Sequence, residues 1–113
     1  MNPRIVASTI LVALAAAVAS PAAMAFDEKE ARALAKRNDC FKCHAVDKTK
    51  KGPAYKKIAE KYKDKPEADA KLLEQITKEH KVKLEDGTEE THKVIDTTNP
   101  AELKNLIDWI RAQ

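Results

Sequence analysis

The sequence is too short for a second domain. It also contains no flexible linker and no large excess of charge of one sign. Its 113 residues contain only two glycines, and no repeat or Gly/Ser-rich stretch divides them, so we expect one folded unit. The formal net charge of +3 is far below that of a strong nucleic-acid binder. A domain of this size has a small core that usually needs a metal, a disulfide or a cofactor. Enzymes with large substrate clefts are therefore disfavoured.

The first 25 residues differ from the rest in composition. Their only charged side chain is Arg4, which precedes an apolar run over residues 5–19 and the A-x-A triplet of residues 23–25. This order is typical of a secretory signal peptide that is cut after Ala25. An uncleaved anchor is the alternative, since the 21 residues from Ile5 to Ala25 are just long enough to span a bilayer, but no basic cluster follows them. We expect a periplasmic domain of residues 26–113 without stable membrane insertion.

The spacing of apolar residues predicts an all-α domain with about four short helices and one hairpin. The predicted helices cover residues 27–38, 53–63 and 67–80 and the chain from Asn99 onward, with a loop over residues 39–51. Asp27 and Asn99 are suitable helix caps, and Pro100 fits a first helical turn. Asp86-Gly87 predicts the turn of a short hairpin at residues 82–91.

The predicted core is built from aliphatic residues and a few aromatic rings. Its aliphatic members are Leu34, Leu72, Leu73, Ile76, Leu106 and Ile110. Trp109 lies near the apolar side of the last helix, where we expect it to pack against the first helix. Tyr55 and Tyr62 are spaced to share one helix face, and half-buried packing positions are expected for both.

Residues 40–44 read Cys-Phe-Lys-Cys-His, the C-x-x-C-H pattern of covalent haem attachment. Cys40 and Cys43 are spaced to form thioethers with the two vinyl groups of one porphyrin. His44 follows directly, so its imidazole is expected to be the proximal ligand of the iron. Covalent tethering lets a short chain bury a large apolar cofactor in place of a bigger core. The pattern therefore predicts one covalently attached haem c.

Three other uses of a C-x-x-C pair are less consistent with the sequence. A zinc site would need two more ligands at matching spacing, and only His80 and His92 remain. A thioredoxin-like dithiol needs a βαβ context, which the predicted helices do not provide. A disulfide between residues three apart would close too small a loop to stabilise the fold much. Haem attachment remains the favoured interpretation.

The stretch from Asp39 to Tyr62 resembles the small bacterial class I cytochromes c, which are periplasmic electron carriers with one haem. The resemblance implies that the carbonyl of Pro53 accepts a hydrogen bond from the imidazole of His44, which would fix the ring and raise its basicity. It also implies that the last helix, which includes LKNLIDWIRAQ, crosses the first helix.

The chain departs from this family at the distal ligand. The family uses a methionine in a loop towards the end of the chain, whereas Met1 and Met24 are the only methionines here and precede the mature domain. His92 stands at the corresponding distance from the C-terminus, so a haem with two histidine ligands, His44 and His92, is predicted. Loss of the methionine should lower the reduction potential. His80 is the alternative distal ligand, and a weak or absent sixth ligand is the third possibility.

These observations predict a one-electron carrier rather than an enzyme, because no acid, base or nucleophile constellation is present. Redox proteins of the periplasm or membrane are the expected partners, nucleic acid is not, and a monomer is expected. Lysines are dense over residues 48–65 and would either steer an acidic partner or simply keep the surface soluble. A haem protein that binds CO, NO or O₂ at an open distal site is the alternative function. A haem subunit of a larger complex is a third option.

Overall fold

The computed structural model describes residues 15–17 and 26–113, so the predicted signal peptide lies almost wholly outside the described residues. The helices are α1 (Glu28–Arg37), α2 (Cys40–Cys43), α3 (Tyr55–Tyr62), α4 (Ala68–Thr77) and α5 (Pro100–Arg111), and the strands are β1 (Lys81–Lys83) and β2 (Glu89–Thr91). The prediction of a mostly helical domain with one hairpin is confirmed. None of the helices in the described ranges is long and apolar enough to cross a membrane.

Helices α1 and α5 are far apart in the sequence but pack together, and each begins at the cap that the sequence predicts. The Asp27 carboxylate accepts the backbone N–H of Glu30 at 3.0 Å, and the Asn99 side chain accepts that of Ala101 at 2.9 Å. The Asn105 side chain then joins the helices, because it accepts the N–H of Asp27 at 2.7 Å and donates to its carbonyl at 2.9 Å. These bonds fix the start of α1 on α5.

The core forms where α5 packs against α1 and α3. Ala31 and Ala35 are fully buried on α1, and their small side chains let α5 approach closely. Trp109 is also fully buried, and its ring meets Phe41 and Tyr55 edge to face at centroid distances of 6.3 and 5.3 Å. The predicted packing of the last helix on the first is therefore confirmed, with Trp109 at its centre.

Two details of the helices differ from the predictions. The predicted loop at residues 39–51 contains one helical turn, α2, which ends with a bond from the N–H of His44 to the carbonyl of Cys40 at 2.9 Å. The prediction of Leu73 as a core residue is wrong, because its side chain is 39% exposed. Ala68, Leu72 and Ile76 form the inward stripe of α4 at four-residue spacing, which leaves Leu73 on the flank.

The third predicted helix also ends earlier than expected, since α4 stops at Thr77 and His80 lies in the connection to β1. Strands β1 and β2 pair antiparallel with Lys81 opposite Thr91. Their turn is stabilised by the Asp86 carboxylate, which accepts the backbone N–H of Thr88 at 3.0 Å, and by Gly87 at a φ of 87°. The predicted hairpin is therefore present, with its two ends close together beside α4.

Candidate cofactor site

A cavity of about 690 Å³ lies between the short helix α2, helices α3 to α5 and the hairpin. This volume is within the range of cofactor pockets in proteins. The chemistry-bearing residues at its surface are Cys40, Cys43, His44 and His92. Its apolar lining consists of Ile58, Leu72, Ile76, Val82, Leu84, Ile95, Leu106, Ile107 and Ile110. The cavity therefore combines two thiols, two imidazoles and hydrocarbon walls.

The imidazole of His44 is held on one side of the cavity by its own loop. Its Nδ1–H donates to the carbonyl of Pro53 at 2.6 Å, and its ring stacks on Tyr55 with centroids 5.2 Å apart. A Cβ at Gly52 would lie 2.9 Å from Cε1 of His44, so only glycine leaves room for the ring. These contacts leave Nε2 without a hydrogen-bond partner among the described residues, as a metal-binding nitrogen requires.

The two cysteines are free thiols on the single turn of α2, both half-buried and both at the cavity surface. Their spacing places them on the same side of this turn. Burial raises the pKa of the Cys40 thiol above its ordinary value, so the thiol form is favoured. Burial likewise raises the pKa of Tyr55, and the neighbouring Cys40 raises it further. The cavity wall at this point is thus uncharged.

The second imidazole, His92, follows β2 and also lies at the surface of the cavity. Its Nδ1–H donates to the carbonyl of Lys93 at 2.9 Å, which leaves Nε2 available. Burial lowers the pKa of His92, and the neighbouring histidines lower it further, so the neutral imidazole that binds metals is favoured. The ring centroids of His44 and His92 are 6.4 Å apart, with planes inclined at 53°.

This separation matches one metal ion held between the two rings. With metal–imidazole bonds of about 2 Å, two rings on opposite sides of one ion have centres about 6 Å apart. The thiols of Cys40 and Cys43 lie at the same cavity, whose lining also includes nine aliphatic side chains. The residues present therefore fit a flat apolar macrocycle: Cys40 and Cys43 would tether it through their sulfurs, and His44 and His92 offer imidazole nitrogens to a metal that it would carry.

His80, the other histidine considered from the sequence, lies next to His92 and is not among the residues that line the cavity. Its Nδ1–H donates to the carbonyl of Lys78 at 2.9 Å, and its Nε2 lies 2.7 Å from the side-chain oxygen of Gln75. Its ring stacks on that of His92 at a centroid distance of 5.1 Å and an angle of 15°. Both ring nitrogens of His80 are thus engaged by the protein.

The loop that follows His92 is anchored by residues that sequence reasoning missed. The buried side chain of Asn38 accepts the N–H of Asp96 at 2.9 Å and donates to its carboxylate at 3.0 Å. Arg37 donates to the same carboxylate through two nitrogens, at 2.9 and 3.1 Å, and this holds the pKa of Asp96 below its usual value. A polar residue at the end of a helix gives no sign in the sequence of a partner so far along the chain.

Comparisons with known proteins identify the family. The cytochrome c family model matches residues 17–113. The chain is 52% identical to the class 1 cytochrome MtoD from Sideroxydans lithotrophicus ES-1, with a TM-score of 0.74 over 78% of this chain and 97% of that one. Cytochrome c552 from Nitrosomonas europaea is 35% identical, with a TM-score of 0.56 over 71% of this chain and 95% of that structure.

A shorter match involves a curated relative, cytochrome c-552 of Nitrosomonas europaea. It is 49% identical over 43 residues, which is 38% of this chain and spans only 42% of the relative. The family model, by contrast, extends over the haem-attachment pattern, the hairpin and the last helix. The chain therefore belongs to the cytochrome c family, as a class I monohaem electron-carrying cytochrome with one covalently attached haem c.

Proposed function

We propose that this chain is a periplasmic one-electron carrier whose haem iron is bound by His44 and His92. The observation that carries the proposal is the pair of imidazoles 6.4 Å apart at a cavity that also contains both cysteines. When bound, the haem supplies an iron that alternates between the ferric and ferrous states. Histidine in place of the family's methionine is expected to lower its reduction potential.

Each residue of the site has a distinct part in this proposal. Cys40 and Cys43 would form the two thioether bonds. Pro53 would orient His44 and raise its basicity through the 2.6 Å hydrogen bond to Nδ1. The carbonyl of Lys93 would do the same for His92 at 2.9 Å. Two ligands held in this way change little in position when the iron changes charge, which favours fast electron exchange.

The contacts that hold the hairpin and His92 against the cavity favour electron transfer over binding of CO, NO or O₂. The hairpin is joined to the loop beside His44, because the N–H of Glu85 donates to the carbonyl of Lys51 at 3.2 Å and the Lys51 ammonium lies 3.7 Å from Glu90. On its other side, the N–H of Ile95 donates to the carbonyl of Ile76 at 2.8 Å. These contacts hold His92 at the cavity, so a small external ligand would have to displace it.

Exposed lysines around the cavity support a redox protein with an acidic surface as the partner. Lys42, Lys51, Lys57, Lys61, Lys83 and Lys93 contribute to the rim of the cavity. Such a rim would speed the encounter with an acidic partner, and the rate would fall as salt screens the charges. We propose that the protein acts as a monomer after export, with residues 26–113 as the mature domain and no enzymatic activity of its own.

The visible spectrum of the dithionite-reduced holoprotein, before and after CO, tests the axial ligands. We expect no rapid change in the native protein, because His92 occupies the sixth position. His92→Ala should take up CO at once, whereas Thr91→Ala, a neighbouring exposed variant, should behave as the native protein does. Rapid, stoichiometric uptake by the native protein would contradict ligation by His92 and would favour a ligand-binding role instead.

A further inference from the structure

The side chain of His80 is fixed more firmly than a residue at the edge of a hairpin requires. Its two ring nitrogens are 2.9 Å from the carbonyl of Lys78 and 2.7 Å from the side chain of Gln75, so the ring plane is held at both ends. It is only partly buried, and nothing in the packing of the core depends on it. The other contact of the His80 ring is its stacking on the ring of His92.

The ring of His92 takes a single orientation only if neighbouring groups restrain it. The terminal torsion of a histidine side chain has broad energy minima, so its ring plane is set by the surroundings. One restraint is the bond from Nδ1–H to the carbonyl of Lys93 at 2.9 Å. The other is the face of His80, which stacks on His92 at 5.1 Å and 15°, within the range of favourable aromatic pairs.

We propose that His80 is a positioning residue that sets the ring plane of His92, and with it the angle between the two axial imidazoles. This inference rests on the proposed function, in which His44 and His92 both bind the iron. The present angle between their planes is 53°. The relative orientation of axial ring planes controls the energies of the iron d orbitals, so it is expressed directly in the electron paramagnetic resonance of the ferric state.

The backbone makes this role separable from folding. The N–H of His92 donates to the carbonyl of His80 at 2.8 Å, a bond that persists whatever side chain stands at residue 80. Substitution of His80 should therefore leave the hairpin register unchanged and remove only the stacked face. His80→Ala removes the ring and both of its hydrogen bonds. His80→Phe keeps an aromatic face and loses only the bonds to Lys78 and Gln75.

The experiment compares native, His80→Ala, His80→Phe and His92→Ala holoproteins, with Glu79→Ala as the exposed neighbouring control. Two readouts are taken: the ferric electron paramagnetic resonance spectrum, and the rate of CO uptake by the ferrous protein, which requires His92 to leave. For His80→Ala we expect shifted or broadened low-spin signals and CO uptake about twofold to tenfold faster, the factor that an aromatic pair contributes. His80→Phe should return both readouts towards native values, and Glu79→Ala should match the native protein.

The two proposals fail in different ways. If His92→Ala left the native spectrum unchanged, His92 would not be a ligand, and the proposed function and this inference would both be wrong. If His92→Ala behaved as expected but His80→Ala matched the native protein in both readouts, only the positioning role would be refuted. Equal changes in His80→Ala and His80→Phe would also refute it, because the aromatic face would then have no influence.

Discussion

Removal of the Asn38 side chain should destabilise the domain and loosen the distal loop at the same time. Asn38 is 1% exposed at the end of α1, and its amide makes three hydrogen bonds. Two of them join Asp96, which lies four residues after His92, and the third returns to the carbonyl of Leu34 at 3.0 Å. The side chain thus connects the start of α2 to the segment that carries His92, the proposed distal ligand.

The magnitude follows from the partners that Asn38→Ala would leave. The carbonyl of Leu34 keeps its bond from the backbone N–H of residue 38, at 3.1 Å, and the carboxylate of Asp96 keeps Arg37. The N–H of Asp96 loses its only side-chain partner in the described part of the chain. With about 1 kcal/mol for each of two to three bonds, the free energy of unfolding should fall by about 2–3 kcal/mol.

The assay is denaturant unfolding of the holoprotein followed by circular dichroism, together with the rate of CO uptake in the ferrous state. Asn105→Ala is the matched control, because Asn105 also makes two bonds, to Asp27, but is less buried and far from the distal loop. We expect Asn105→Ala to cost about 1 kcal/mol and to leave CO uptake unchanged. Equal losses in the two variants, or a native CO rate in Asn38→Ala, would refute the reasoning.

Three further changes test other contacts. Gly52→Ala would place a Cβ 2.9 Å from Cε1 of His44 and weaken the bond from Nδ1, so a redox titration should show a higher midpoint potential. Arg37 lowers the pKa of Asp96, so its contribution to stability is present above pH about 4 and is lost as pH falls through the lowered pKa. Asp96→Asn should therefore flatten the acid limb of a stability profile. Trp109→Ala should cost about 3–5 kcal/mol in denaturant unfolding, because the ring is fully buried.

Features with a local cause could be predicted from the sequence. The starts of α1 and α5 follow from Asp27 and Asn99, whose side chains accept hydrogen bonds from the first turn of their own helices. The hairpin turn follows from Asp86-Gly87, because the stabilising bonds also lie within the turn. The bond between His44 and Pro53 was implied by a family pattern that spans one short loop, and the geometry at 2.6 Å agrees with it.

Features that depend on distant partners could not be predicted in the same way. The exposure of Leu73 depends on which flank of α4 meets α5, and the apolar spacing of α4 does not distinguish Leu73 from Leu72. The importance of Asn38 depends on Asp96, to which it is joined only after the chain has passed through three helices and the hairpin. The polar contacts that anchor the loop after His92 are of this second kind.

The proximity of His80 and His92 has both a local cause and a cause that depends on distant partners. A hairpin centred on Asp86 pairs residues at equal distances from it, and the pairing of Lys81 with Thr91 follows this rule. The next pair outward is His80 with His92, whose backbone groups are joined at 2.8 Å. Directly opposite side chains in an antiparallel pair lie close enough to stack. The observed register, in which Leu84 pairs with Thr88 across a turn of residues 85–87, brings the two histidines together, and a shift by one residue would separate them. What the turn does not determine is which of them faces the cavity, and that depends on Gln75 and Lys78 holding His80 beside α4.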